Sequence, residues 1–238
     1  MVLVIVVSHW YEDLNWLKNS PWKVILCDKN GSAESPFTPD EKCTLGINKG
    51  REASSYLKYI IEYYDNLPDH IAFLHGHEDS WHQKYPGHLF DAIRNARISE
   101  YDYISLNNSI DIKTRFNFCD FYTMDPELKG HVDAQPETFQ LFERYWDIFQ
   151  PILKTEVCPH YFRFNCGAQF IVSRTAIKKH SKSSYKTLLK YLLNENNDYM
   201  PAVTLEYIWG VLFGEDHTTF MSDLHYRKTR FVESIIKE

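Results

Sequence analysis

The chain has 238 residues, of which 44% are hydrophobic and 16% aromatic, so it can bury the core of one large domain or two small ones. It carries 26 basic and 32 acidic residues, and the net charge of −6 argues against a basic field that would collect nucleic acid or an anionic membrane surface. The five cysteines are odd in number and include no Cys-x-x-Cys pair, which argues against a disulfide scaffold or a zinc ribbon. We therefore predict a soluble cytoplasmic protein with reduced thiols.

The first predicted element is a strand. Val2 to Val7 is continuously apolar and mostly β-branched, which is typical of a parallel strand covered on both faces. The run is far shorter than the roughly 20 residues that a membrane-spanning helix needs, and it lacks the basic leader of a signal peptide. We therefore expect a central strand of the sheet and no membrane span.

The next predicted elements are a strand, a loop and a helix. Lys23 to Cys27 repeats the apolar strand pattern and ends in the turn residues Asp28 to Gly31, and the prolines within Glu34 to Lys42 predict a loop. The apolar residues that follow are spaced by three and four, which predicts a helix from about Arg51 to Tyr64. This helix is expected to pack on the sheet.

A third strand, Ile71 to Leu74, leads directly into the most polar stretch of the chain, His75 to His82. A helix near Leu89 to Ala96 and a strand at Tyr103 to Leu106 continue the alternation of strands and helices. Such alternation predicts an α/β fold with a doubly wound, mostly parallel sheet.

The second half is predicted to be mixed, and no linker divides it from the first. Asn107 to Val132 is polar and irregular. The elements predicted after it are an aromatic helix at Phe139 to Phe149, a strand at Ala168 to Val172, and helices near Tyr185 to Leu193 and Leu205 to Phe213.

Polar segments follow the predicted strands at the points where ligands bind in open α/β sheets. The carboxyl ends of parallel strands meet at one edge, so Ser8 to Asp13, Asp28 and His75 to His82 are expected around one crevice. Neither G-x-x-x-x-G-K-[ST] nor G-x-G-x-x-G occurs, which argues against a P-loop nucleotidase or a dinucleotide-binding dehydrogenase. A bound nucleotide would therefore need another kind of phosphate-binding site.

Five segments carry a family resemblance: Val7 to Leu17, Asn48 to Leu67, Phe73 to His77, Gly167 to Arg174 and Leu205 to Gly214. Together they resemble a family of fungal and large-DNA-virus proteins, and they are similar to the small GT-A-type glycosyltransferase domains of chlorella viruses. The resemblance implies a single GT-A-like domain over residues 1–238, with a Rossmann-like nucleotide-binding half to about 106 and an acceptor half from about 107. It also implies transfer of a sugar from a nucleoside diphosphate sugar, with UDP preferred, to a glycan acceptor, in the host cytoplasm if the protein is viral.

The same resemblance assigns the donor site. Ser8 and Tyr11 would line the base and ribose pocket, Asp28 would bind the uracil or the ribose, and Lys49 or Arg51 would approach the diphosphate. For Arg51 the physical chemistry agrees, because helix N-terminal N–H groups and a guanidinium both favour phosphate.

A divalent cation is implied at the end of the third strand. In GT-A enzymes, acidic residues at this place hold Mn²⁺ or Mg²⁺, ions that prefer oxygen ligands. Here Asp79, with Glu78 or His77, would take that role, although the usual Asp-x-Asp pair is absent.

The acceptor half is expected to supply the catalytic base. Glu206 begins an apolar helix, where burial would raise the pKa of its carboxyl group and suit it to accept a proton. Asp216 and His217 are reserve candidates, Trp209 is predicted to be core, and Gly167 would let an acceptor sugar approach closely.

Two other functions fit the sequence. His75-x-His77-x-Asp79 is close to the H-x-H-x-D-H motif of metallo-β-lactamase-type zinc hydrolases, but Ser80 replaces the final histidine and His82 comes two positions late. A sugar- or nucleotide-binding module without catalysis is the other alternative, favoured if no carboxylate faces the crevice.

Overall fold

The computed structural model describes residues 1–30, 39–79, 89–106, 119–123, 161–165, 167–194 and 199–213. The strands are β1 (Leu3–His9), β2 (Lys23–Asp28), β3 (Glu41–Thr44), β4 (His70–Leu74), β5 (Tyr103–Ser105), β6 (Cys119–Thr123), β7 (Tyr161–Asn165) and β8 (Phe170–Ser173). The α-helices are α1 (Arg51–Tyr63), α2 (Leu89–Asn95), α3 (Arg174–Lys178), α4 (Lys182–Asn194) and α5 (Tyr199–Leu212), and short 3-10 helices span Asn15–Asn19 and Tyr64–Asn66.

Six strands form the central sheet in the order β3-β2-β1-β4-β8-β5. The first four run parallel, and β8 runs antiparallel to both β4 and β5. The order β3-β2-β1-β4 matches the start of a doubly wound nucleotide-binding sheet. The predicted fold class, α/β with a mixed, mostly parallel central sheet flanked by helices, is therefore confirmed. β6 and β7 form a separate antiparallel pair.

The sheet has an apolar layer on each face, which explains why β1 is apolar at every position from Leu3 to Val7. Successive side chains of a strand point to opposite faces. Val4 and Val6 belong to the core layer that also contains helix α1, whereas Ile5 and Val7 belong to the layer that contains helix α2.

Helix α1 fits its predicted bounds and is central to the first layer. Ala53, Leu57 and Ile60 are buried on one face, and helices α4 and α5 both pack against it. The hydroxyl of buried Tyr56 donates a hydrogen bond of 2.8 Å to the carbonyl of Ala168, which joins α1 to the segment before β8. Trp209 on α5 is buried in the same layer, as predicted.

Ion pairs hold the edge of the sheet where β1 and β4 begin, which we call the amino edge. The Asp69 carboxylate accepts from the backbone N–H of Val2 at 2.8 Å and pairs with Arg174 at 2.9 Å. Asp102 accepts from the Ser173 hydroxyl at 2.5 Å and pairs with Lys179 at 3.1 Å.

Among the strands and α-helices, the structure adds four to the prediction, namely β3, β6, β7 and α3. β3 begins at Glu41, inside the span predicted as loop, and β6 lies inside the stretch predicted as irregular. Helix α3 is only five residues long, and its N-cap, Ser173, accepts a hydrogen bond of 3.0 Å from the N–H of Ala176. The predicted aromatic helix, together with Asp216 and His217, lies outside the described residues. Among the helices that the structure describes, none is both long and apolar enough to cross a membrane.

Candidate functional site

The ends of three parallel strands place the predicted crevice residues side by side. In the register of the sheet, His9 on β1 lies opposite Asp28 on β2, and Val7 lies opposite Leu74 at the end of β4. We call this the carboxyl edge. The first turn of α1 lies beside it, since the Lys29 ammonium donates a hydrogen bond of 2.6 Å to the carbonyl of Arg51.

His9 and Asp28 form a buried pair at the carboxyl edge. Nδ1 of His9 lies 3.6 Å from Oδ1 of Asp28, and their side chains are only 3% and 4% exposed. Nε2 of His9 lies 3.3 Å from the carbonyl of Glu12, and Asp28 also accepts from the N–H of Asn30 at 2.9 Å. The carboxylate predicted to bind a base or ribose thus faces a histidine inside the protein. Its contact with a nucleotide stays a prediction.

The loop after β1 presents two aromatic rings. The Trp10 and Tyr11 rings lie 4.7 Å apart, edge to face, and Tyr11 is 70% exposed. The carboxylate of Glu12 fixes the loop by accepting from the N–H groups of Trp10 and Tyr11 at 2.7 and 3.2 Å. Tyr11 is therefore available to a ligand.

Gly76 permits this arrangement of the loop. A Cβ atom at Gly76 would lie 2.7 Å from Oε2 of Glu12, which is closer than real atoms approach. The carbonyl of Gly76 accepts a hydrogen bond of 2.8 Å from the indole of Trp16. The loops after β1 and β4 are thus packed together.

Ser8 is turned away from the loop. Its buried hydroxyl donates a hydrogen bond of 2.9 Å to the hydroxyl of Ser55 on α1. The structure places it between β1 and α1, so its predicted role in the base and ribose pocket is untested.

The turn before α1 has unusual backbone geometry. Gly50 and Arg51 have φ values of 71° and 47°, in the left-handed region that a side chain disfavours. The Ser54 hydroxyl donates to the carbonyls of Lys49 and Arg51 at 2.5 and 3.0 Å, and the Lys49 ammonium donates to the carbonyl of Leu193 at 2.7 Å. These bonds hold the turn and leave the Arg51 side chain exposed.

Two histidines meet at the end of β4. Nδ1 of buried His75 lies 3.1 Å from Nε2 of exposed His77, and the backbone N–H of His75 donates to the side-chain carbonyl of Gln169 at 3.4 Å. Glu78 and Asp79 are exposed.

The predicted metal site has only a partial ligand set. No three His, Cys, Asp or Glu side chains in the described part of the chain are arranged to hold a metal ion. Residues 80–88, which include His82, lie outside that part. The described residues alone therefore do not fit a resident cation.

Two glutamates that are distant in the sequence, Glu52 and Glu206, lie close enough in this region for their charges to interact. Burial raises the pKa of Glu206 to about 7, and the charge of Glu52 raises it further while Arg51 lowers it. Burial also acts to raise the pKa of Glu52, but the charge of His75 and smaller contributions outweigh that effect, so the pKa is lowered. Glu52 is thus the charged member of the pair, and Glu206 changes protonation near neutral pH.

The segment before β8 is hydrogen-bonded to the backbone of Glu206. Gly167 has a φ of 105°, and its N–H donates a hydrogen bond of 3.0 Å to the carbonyl of Glu206. The glycine predicted to admit an acceptor sugar therefore has a backbone reason for its identity, because other residues disfavour this conformation.

The sequence did not single out three residues of this site. An acidic residue such as Glu52 is common in the first turn of a helix. Glu12 is a polar residue in a loop, and Gln169 is a polar residue just before a strand, so neither stands out by its type. Each lies in a segment that carries the family resemblance, and Glu12 lies within Ser8 to Asp13, but the sequence assigned no role to any of the three.

Comparisons with known proteins identify the family. No curated protein matches the chain. Among solved structures, the apo form of the bifunctional glycosyltransferase WbbM matches with a TM-score of 0.41 and 13% identity, covering 92% of this chain and 44% of that one. The chain thus spans less than half the length of that protein, and a match at this level carries no information about reaction or substrate. The model of the family described as protein of unknown function DUF3431 matches residues 4–225, so the chain belongs to that family.

Proposed function

We propose that the chain transfers a sugar from a nucleoside diphosphate donor to an acceptor hydroxyl, with Glu206 as the general base. The observation that carries the proposal is a carboxyl group with a pKa of about 7 beside the first turn of α1. A base works best when its pKa lies near the operating pH.

The proposed reaction needs little besides this base and a positive site for the leaving group. Glu206 removes the proton of the acceptor hydroxyl while that oxygen bonds to the anomeric carbon of the donor. The bond from this carbon to the diphosphate oxygen breaks, and the diphosphate leaves with the electron pair. The outcome is an inverted anomeric centre, because attack and departure occur on opposite faces.

The first turn of α1 is the proposed diphosphate site. Arg51 is exposed there, and the buried ammonium of Lys29 lies against its carbonyl. A guanidinium, a second cation and the N-terminal N–H groups of a 13-residue helix together favour a leaving diphosphate. The Lys49 ammonium donates a hydrogen bond to a carbonyl of α4, and its positive charge would also favour the diphosphate.

The exposed Tyr11 ring is the proposed platform for the nucleotide base. It stands at the end of β1, next to the buried pair of His9 and Asp28. Stacking of a base on an aromatic ring stabilises binding by about 1–3 kcal/mol. We propose that Asp28 acts mainly by holding His9, which in turn supports the loop carrying Tyr11.

A zinc hydrolase is the second candidate, and the contact between His75 and His77 favours it. Two imidazole nitrogens 3.1 Å apart can hydrogen-bond to each other or share a cation, and histidine is a common zinc ligand. Further ligands would have to come from outside the described residues. Dependence on Mn²⁺ or Mg²⁺ stays a prediction, with Asp79, Glu78 and His77 as its candidate ligands.

Thermal unfolding with a panel of nucleotides and metal ions tests the proposal. A ligand that binds only the folded chain raises its stability by about 2.7 kcal/mol at 100 times the dissociation constant, which for this length shifts Tm by about 5–10 °C. We expect such a shift with UDP or another nucleoside diphosphate, larger with Mn²⁺ or Mg²⁺ if a cation bridges the phosphates.

Two results would contradict the transferase proposal. A large shift with Zn²⁺ alone and none with any nucleotide would favour the hydrolase. A shift with nucleotide sugars that are never turned over, in the presence of a broad acceptor panel, would favour a binding module.

A further inference from the structure

One segment of this acidic chain is strongly basic. Residues 174–194 contain six of the 26 lysines and arginines and none of the 32 acidic residues, so the rest of the chain carries a net charge of −12. The segment comprises α3, the turn after it and α4. The net charge of −6 conceals this asymmetry.

Helix α4 gathers three of these charges into a line. Lys182, Lys186 and Lys190 are four residues apart, so they lie on one side of the helix and extend over about 12 Å. We call them the lysine stripe. The residues that α4 buries in the core are Tyr185, Leu188 and Leu192.

The charges of this segment are only partly neutralised. Lys182 pairs with Asp65 at 2.9 Å, and the Lys178 ammonium lies 3.8 Å from the centre of the Tyr64 ring. Lys186 and Lys190 are exposed, and no carboxylate among the described residues pairs with either. Within the part of the chain that the structure describes, the end of the stripe nearer Lys190 therefore keeps its positive charge.

That end of α4 touches the candidate site. Lys190 is about one turn before Leu193, whose carbonyl accepts the hydrogen bond from Lys49. The neighbouring Leu192 lies beside Gly50, where an added Cβ would come within 3.3 Å of it. The lysine stripe therefore ends beside the turn that begins α1.

We propose that the lysine stripe docks on an anionic bilayer surface and brings the carboxyl edge close to it. Lysine carries a compact charge suited to a diffuse anionic surface, and each lysine near such a surface strengthens binding about fivefold. Single-stranded nucleic acid is usually held by exposed aromatic rings as well as cations. The tyrosines of α4 do not supply them, since Tyr185 is buried and Tyr191 half-buried.

The asymmetry of charge also sets the orientation of the chain on the bilayer surface. The remainder of the chain, at −12, is repelled by the anionic surface that attracts α4. Docking in this orientation goes beyond the proposed function and does not depend on it.

Co-sedimentation with vesicles tests the proposal on the full chain. We expect binding to phosphatidylcholine vesicles containing 30% phosphatidylserine at about 0.1 M salt, none to pure phosphatidylcholine vesicles, and loss of binding at about 0.5 M salt. The double variant Lys186→Gln/Lys190→Gln should bind at least tenfold more weakly.

The matched control is Lys18→Gln/Lys42→Gln, which removes the same charge from two exposed lysines away from α4. It should bind like the wild type, and both variants should keep the wild-type Tm because all four side chains are exposed. Absence of binding to the anionic vesicles, or equal weakening by the two double variants, would overturn the proposal. Lysine-dependent binding of a single-stranded oligonucleotide without vesicle binding would overturn it as well.

Discussion

The two edges of the central sheet use charge in opposite ways. At the amino edge, Asp69 faces Arg174 and Asp102 faces Lys179, so each carboxylate meets a cation. At the carboxyl edge, Glu206 shares its surroundings with a second carboxylate, that of Glu52.

The carboxyl edge also contains a disfavoured backbone conformation. The turn before α1 holds Arg51 at a φ of 47°, which a residue with a side chain disfavours. Arrangements that oppose stability persist where the surrounding structure enforces them, and they concentrate at functional sites. The charges of the amino edge are thus paired across its surface, whereas the carboxyl edge, with its strained turn and its two nearby carboxyl groups, is where function is expected.

The largest predicted effect is on turnover. Glu206→Gln keeps the shape of the side chain and removes the base, so transfer from the donor found by thermal unfolding should fall about 10²–10⁴-fold while donor binding is kept. The control is Glu100→Gln, which changes an exposed glutamate in the turn before β5 and should turn over normally. Normal turnover of Glu206→Gln would remove Glu206 from the mechanism.

The second effect concerns the turn before α1. Gly50→Ala puts a side chain at a φ of 71° with its Cβ 2.9 Å from that of Ser54. Backbone strain and crowding together should lower the free energy of unfolding by about 2–4 kcal/mol, measured by urea denaturation.

Gly46 offers a matched control for this variant. It has the same φ of 71°, but nothing lies within 4 Å of an added Cβ. Gly46→Ala should therefore show only the strain, about 1–2 kcal/mol, and leave nucleotide affinity unchanged. Equal losses in the two variants would show that the packing around Gly50 does not matter.

A smaller effect is predicted where the loops after β1 and β4 meet. Gly76→Ala would push against the Glu12 carboxylate and should lower the free energy of unfolding by about 1–3 kcal/mol. Adding Glu12→Ala removes the two nearest crowding atoms, Oε2 and Cδ, and leaves Cβ at 3.0 Å, so the double variant should lose less than the sum of the two single losses. Additive losses would contradict the close contact.

The smallest effect is predicted at the amino edge. Asp69→Asn breaks an ion pair with an exposed arginine, and such pairs contribute little. The expected change in Tm is about 2 °C or less, with nucleotide binding unaffected. Loss of nucleotide binding in this variant would show that the two edges are not independent.

The sequence predicts the elements whose local pattern has one interpretation. β1 is apolar from Leu3 to Val7 because both of its faces are covered, and α1 repeats its apolar residues at helical spacing. The ends of β1, β2 and β4 were expected around one crevice, because the carboxyl ends of parallel strands lie at one edge.

The remainder depends on contacts between distant residues. β3 has one buried residue, Cys43, because it lies at the edge of the sheet, and nearby prolines outweigh so weak a strand signal. The antiparallel insertion of β8 between β4 and β5 is set by packing. Glu52 and Glu206 are 154 positions apart, so no local pattern could pair them.

The stability of Glu206→Gln as a function of pH tests the central claim, that the carboxyl edge holds a carboxyl group at a cost in stability. The native pKa of about 7 lies above the ordinary value of 4.5, so between these pH values the native state keeps a proton that the unfolded state releases. The free energy of unfolding of the wild type should therefore fall as pH rises through this window. The account predicts that Glu206→Gln equals the wild type near pH 4 and is more stable by about 3 kcal/mol at pH 8. A variant no more stable than the wild type at pH 8 would contradict it.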